Sequence, residues 1–135
     1  MIADYLDRER VGHVLIAPAD VVYSPRRSLQ PDLFVTPLVN GRRPDKIGGD
    51  VRLLLVVEII SPSTAAIDRG RKRAAYREQG VDEYWVVDVD ARTVERTSAA
   101  DPSVVLVTDE LVWHPSGAAE SLTIDLRAYF SRILD

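Results

Sequence analysis

The sequence contains no cysteine. Disulfides, thiolate zinc centres and thiol nucleophiles are therefore excluded. Histidine is nearly absent: His13 and His114 are the only two. That argues against a histidine-rich metal site, so any metal would be held by oxygen, which favours magnesium, manganese or calcium. An excess of positive charge is also missing, with 17 basic residues against 21 acidic ones and a net charge of −4. A protein that coats nucleic acid generically would be strongly basic; a local basic patch remains compatible with these numbers. No apolar run approaches the roughly 18 residues of a membrane span. The opening MIADYLDRER is polar and amphipathic, unlike a signal peptide. Together these absences read as a soluble cytoplasmic protein. Internal repeats and low-complexity tracts are lacking too. A length of 135 residues suggests one domain over 1–135. Such a chain buries roughly two-thirds of its unfolded surface, enough for a core without staples.

What is present is strand-rich. IADYLDRER suggests a short helix with Ile2, Tyr5 and Leu6 on one side. VGHVLIAPADVVYSP reads as two strand pieces around Pro18, and QPDLFVTP as a short strand bracketed by prolines. LVNGRRPDKIGGD is turn-rich and basic, as expected of a loop. VRLLLVVEII is the strongest strand signal, and its unbroken apolar character predicts burial on both faces. In STAAIDRGRKRAAYREQG, Asp68 is placed to cap a helix that ends at Gly80. VDEYWVVDV is a second buried strand. ARTVERTS, SVVLVT and ELVWHP suggest antiparallel strands, and LTIDLRAYFSRIL an amphipathic closing helix carrying Leu126, Tyr129, Phe130 and Ile133 on one face. This order predicts an α/β domain with a mixed sheet and few helices.

One residue is out of place. Glu58 sits inside LLLVVEII, and ionised carboxylates are rarely buried unless paired or bound to metal. If the strand after Pro31 is a neighbour, Asp32 and Glu58 share one divalent cation, which removes their mutual repulsion. The backbone carbonyl of Ile59 offers a third oxygen, with water completing the shell as magnesium prefers. Lys72, on the following helix, is suited to orient or deprotonate a water and to stabilise charge on a phosphate. Arg69, Arg71, Arg73 and Arg77 share that helix and would attract a polyanion. A plainer reading stands beside this one. Glu58 pairs with Arg52, Lys72 or an arginine, Asp32 is a turn residue, and the basic helix is a solvated face. Tyr76, one turn beyond Lys72, either reaches the site or only packs in the core. Tyr84 and Trp85 read as packing residues, and Asp88 as a turn residue.

QPDLFV, VVEIISPST, Asp68, Lys72, Tyr76 and GVDEYWVVD, in this order and spacing, resemble the Uma-two family of candidate endonucleases. That family belongs to the restriction-endonuclease-like PD-(D/E)XK superfamily. The resemblance runs from about Gly12 to LTIDLRAYF, with Glu58 to Asp88 its specific part. It implies a mixed β-sheet core with flanking helices and a metal-dependent phosphodiesterase site. Asp32 matches the aspartate of the PD motif and Glu58 the acidic residue of the central strand. Ile60 stands where the superfamily's usual lysine would be, and Lys72 matches the helix-borne lysine of similar members. The implied function is a magnesium- or manganese-dependent endonuclease acting on DNA. Asp32, Glu58 and Lys72 would be catalytic, with Asp32, Glu58 and the Ile59 carbonyl as metal ligands. Family members usually carry a further N-terminal helix and hairpin whose glutamate joins the site, and this chain is expected to be short there. An open sheet edge would then invite homodimerisation. The rival expectation is a catalytically inactive nuclease-fold module that dimerises or binds nucleic acid.

Overall fold

The structure is a computed structural model that describes residues 1–16, 21–24, 27–29, 31–44, 51–60 and 65–135, with side chains left aside over 21–29 and 65–69. Helix α1 (Ile2–Glu9) leads into strand β1 (Gly12–Ile16), the short pair β2 (Val21–Ser24) and β3 (Arg27–Leu29), and β4 (Leu33–Pro37). Strand β5 (Leu55–Ile60), helix α2 (Ala65–Glu78) and β6 (Glu83–Asp88) form the centre. Then come β7 (Thr93–Ser98), β8 (Val105–Val107), β9 (Glu110–Trp113), β10 (Leu122–Asp125) and helix α3 (Leu126–Leu134). Six strands make one mixed sheet in the order β1-β4-β5-β6-β7-β8. β5 and β6 are parallel, and the other neighbours are antiparallel. The single parallel pair needs a long crossover, and α2 supplies it. Among the described residues no helix is long and apolar enough to cross a membrane.

Alternation along the strands sorts the core into two halves. Phe34, Val56, Tyr84 and Val86 face α2 and pack with Tyr76, Leu53 and Val81. Val35, Leu55, Val57, Trp85 and Val94 face the other way, onto Tyr5 and Leu6 of α1, the β9–β10 hairpin, and Leu126 and Phe130 of α3. Side chains of a strand point alternately to opposite faces. A central strand covered on both sides is therefore apolar at nearly every position, as VRLLLVVEII is. Each large side chain fully buried here contributes about 1.5–3 kcal/mol.

Local chemistry sets several element ends. α2 stops at Gly80, whose φ of 77° is left-handed. The Gly80 N–H donates to the Arg77 carbonyl at 3.0 Å and the Val81 N–H to the Tyr76 carbonyl at 3.1 Å. This is a Schellman closure, which glycine accommodates best. The helix begins at Ala65, so Asp68 lies within its first turn instead of capping it. The closing segment also departs from expectation. Leu122–Asp125 is not helical but pairs with β9, with Leu122 and Ile124 buried and Thr123 and Asp125 exposed. Leu122 and Leu126 are four residues apart, so a helical face extends back onto a strand that alternates with period two. Asp125 is the switch: its backbone is extended and its carboxylate accepts the Ala128 N–H at 3.1 Å, capping α3. Leu126 and Phe130 are buried as the helical pattern implies, Tyr129 packs partly, and Ile133 is exposed.

Glu83, at the start of β6, is buried on the α3 face, where the Arg96 guanidinium meets it. Arg96 also donates to the Val112 carbonyl at 2.9 Å, tying β7 to the hairpin. Burial pushes the Glu83 carboxyl above its ordinary value, with Arg96 pulling the other way. A carboxyl raised on folding stabilises fully below its unfolded value, and that contribution is lost as pH rises through the folded one. Urea unfolding of the protein and of Glu83→Gln, from about pH 4 to pH 7, should therefore show the native chain's advantage shrinking as pH rises. A pH-independent difference would mean that Glu83 does not titrate abnormally. A tighter constraint lies at Gly12, where a Cβ would sit 2.7 Å from the Thr36 carbonyl oxygen and 2.8 Å from Val35 Cγ1. Gly12→Ala should destabilise by about 1–3 kcal/mol in the same assay.

Candidate active site

Glu58 is the second-last position before Ile60 ends β5, and it shares the α2 face with Val56 and Ile60. It is only 6% exposed. α2 crosses this face and presents Lys72 and Tyr76, four residues apart and hence on one side of the helix. Lys72 Nζ lies 3.5 Å from Glu58 Oε2, and the Tyr76 hydroxyl donates to Glu58 Oε1 at 3.2 Å. The two carboxylate oxygens thus have different partners.

Asp32 arrives from the neighbouring strand. The β4–β5 register pairs Leu33 with Val57, so Asp32 stands one step past the ladder, across from Glu58. Its Oδ2 accepts the Ile59 N–H at 2.6 Å. The N–H and C=O of one residue in an extended strand point to the same edge, which turns the Ile59 carbonyl toward β4 as well. The structure therefore brings Asp32, Glu58, Ile59 and Lys72 together. Among the described side chains, Lys72 is the cation that meets Glu58, while Arg52 pairs with Asp82.

Burial raises the Glu58 carboxyl above its ordinary value; Lys72 pulls it down, and the charge of Asp32 raises it again. Desolvation outweighs the lysine. A lysine at 3.5 Å with a partly exposed side chain does not fully compensate a buried carboxylate. The donor set that remains is two carboxylates and a strand-end carbonyl, all hard oxygen. Among the described residues no cluster of three or more histidine, cysteine, aspartate or glutamate side chains forms. Two carboxylates suit magnesium, which keeps several waters.

Asp32 and Glu58 lie at adjacent strand ends of the sheet. An apolar cavity of about 380 Å³ on the α3 face has Asp32 and Ile59 on its wall but neither Glu58 nor Lys72. Ile59 is 54% exposed on the α3 face, and the Lys72 side chain is partly exposed on the α2 face. The basic helix is less free than its sequence implies: Arg73 is bound to Glu95 on β7 at 2.9 Å, while Arg71 and Arg77 are exposed. Ser61, Ser63 and Thr64, and the glycine-bearing loop over 45–50, lie outside the described residues. Tyr84 and Trp85 pack as expected, against Tyr76 and Trp113. Asp88 accepts the Ala91 N–H at 3.0 Å in a turn. Glu83 escaped notice in the sequence, although VDEYW sets it in a buried strand as plainly as VVEII sets Glu58.

The electrostatics predict a modest effect for Glu58→Gln. Removing one partner of a well-compensated buried pair costs about 3–5 kcal/mol. Here the charge is poorly compensated and glutamine still accepts from Tyr76. Urea unfolding near neutral pH without divalent metal should therefore change by less than about 1 kcal/mol. A loss in the 3–5 kcal/mol range would identify Glu58–Lys72 as a structural pair.

Comparison with known proteins follows the same lines. The crystal structure of "a putative nuclease belonging to DUF820 from Anabaena variabilis ATCC 29413" is similar at a TM-score of 0.77 and 20% identity, over 98% of this chain and 75% of that one. That likeness establishes the nuclease-like fold. No curated protein matches the sequence. The model of the Uma2 family, described as "Putative restriction endonuclease", matches residues 1–127. With a match over nearly its whole length, the chain belongs to the Uma2 family.

Proposed function

We propose that this protein is a metal-dependent endonuclease that hydrolyses DNA phosphodiester bonds, with Asp32 and Glu58 holding magnesium or manganese and Lys72 assisting the attack. The observation that carries the reading is the convergence of two carboxylates from adjacent strand ends with a lysine 3.5 Å from one of them. Family membership and the fold shared with the Anabaena protein support it. The Ile59 carbonyl is the third protein oxygen of the set. The bound cation would supply a water acidic enough to attack at neutral pH. Lys72, as an ammonium, then faces the negative charge that builds on the phosphate oxygens while the phosphorus–oxygen bond to the leaving group breaks. Tethering Asp32 to the Ile59 N–H orients its carboxylate before substrate arrives.

Among the described residues strand β1 is a sheet edge with Ile16 exposed at its end, and pairing of two copies along this edge is part of the same reading.

Calorimetry with manganese and magnesium, on the protein and on Glu58→Ala, tests the proposal. Binding by the parent protein that disappears in the variant is expected. Metal-dependent nicking of supercoiled plasmid should be lost in Lys72→Met while manganese binding persists, because the lysine leaves the carboxylates in place. No binding by the parent protein at millimolar metal would overturn the proposal and favour an inactive nuclease-fold module.

A further inference from the structure

The Tyr76 hydroxyl is the least expected member of the cluster. The ring is 1% exposed and packed against Tyr84 at a centroid distance of 5.1 Å. A hydroxyl buried this deeply needs a partner, and it donates to Glu58 Oε1. The aromatic ring has two side-chain torsions, both held by the core, so the donor is rigid. Lys72, by contrast, reaches Oε2 at the end of a flexible and partly exposed chain. One oxygen of Glu58 is therefore held by a buried neutral donor, and the other faces the Lys72 ammonium at the longer distance of 3.5 Å.

We infer that Tyr76 is a positioning residue for the metal site: it fixes the plane of the Glu58 carboxylate through Oε1 and leaves Oε2 as the oxygen that meets the metal. The inference rests on the proposed metal site and deepens it. A divalent ion competes with Lys72 for Oε2, where the existing contact is long, and leaves the Tyr76 bond intact. Groups that orient a metal ligand typically matter 10–100-fold in affinity. Without the hydroxyl, the carboxylate would rotate about its last torsion and offer the ion no fixed oxygen. Tyr76 thus touches the ligand and not the reacting atoms.

Tyr76→Phe keeps the ring and its packing and removes only the donor. Manganese affinity by calorimetry should fall about tenfold, while thermal unfolding of the variant stays cooperative. Equal affinity in Tyr76→Phe and the parent protein would overturn the inference and leave the metal site standing. Absence of manganese binding in the parent protein would overturn both. A second measurement uses the unaltered chain, should the variant fold poorly. The hydroxyl proton of Tyr76 should exchange slowly in the proton NMR spectrum and keep its contact with Glu58 when magnesium saturates the protein. Loss of that signal on adding magnesium would show that the metal takes Oε1, contrary to the assignment.

Discussion

Strand β5 lies under α2 on one face and over the hairpin and α3 on the other, and the charge of Glu58 has to be accommodated inside that double cover. Removing a carboxylate from water costs several kcal/mol unless charge or hydrogen bonds replace the lost hydration. The fold meets that cost only in part, with a tyrosine hydroxyl on one oxygen and a lysine near the other. A strand serving stability alone would carry another aliphatic residue at this position. The shortfall, together with Asp32 across the strand gap, is the electrostatic basis of the proposed cation site.

The sheet's alternation decides what each buried carboxylate does. Glu58 and Glu83 have nearly equal burial, and both are raised by desolvation. Glu83 points to the hairpin face and meets Arg96, whose second nitrogen holds the Val112 carbonyl. Together with Arg96 it joins β6 and β7 to the hairpin. Glu58 points to the α2 face near the end of a strand, where the ladder to β4 has run out and a second carboxylate stands alongside. It is buried at the C-terminal end of its strand, the position at which parallel strands leave a sheet and active sites of α/β folds collect.

Much of this was legible residue by residue. The double burial of LLLVVE followed from its missing alternation, although Ile59 beyond it is exposed; the end of α2 followed from its closing Gly80, and the packing of Tyr84 and Trp85 from their place in a buried run. Asp32, Glu58 and Lys72 were legible as a set because a carboxylate inside an aliphatic strand demands a partner. The strand at 122–125 was not, because Leu122 fits a helical face and a strand face equally well. The double part of Tyr76 was also hidden. Spacing placed it beside Lys72, but a tyrosine that packs and a tyrosine that donates look the same in a sequence.

By itself, the sequence determined which chemistry was open to the molecule. Without cysteine and with two histidines, any metal chemistry must run through oxygen, and a glutamate in a buried strand calls for a charged or hydrogen-bonding partner. Tertiary structure decided which cation-bearing group answers. Arg52 lies close in sequence and Lys72 far off, yet the crossover helix swings Lys72 and Tyr76 over β5 while Arg52 turns to Asp82. The physical reason is that charge pairing acts over a few ångströms of space, and only the packing of a helix on a sheet converts fourteen residues of chain into one such contact.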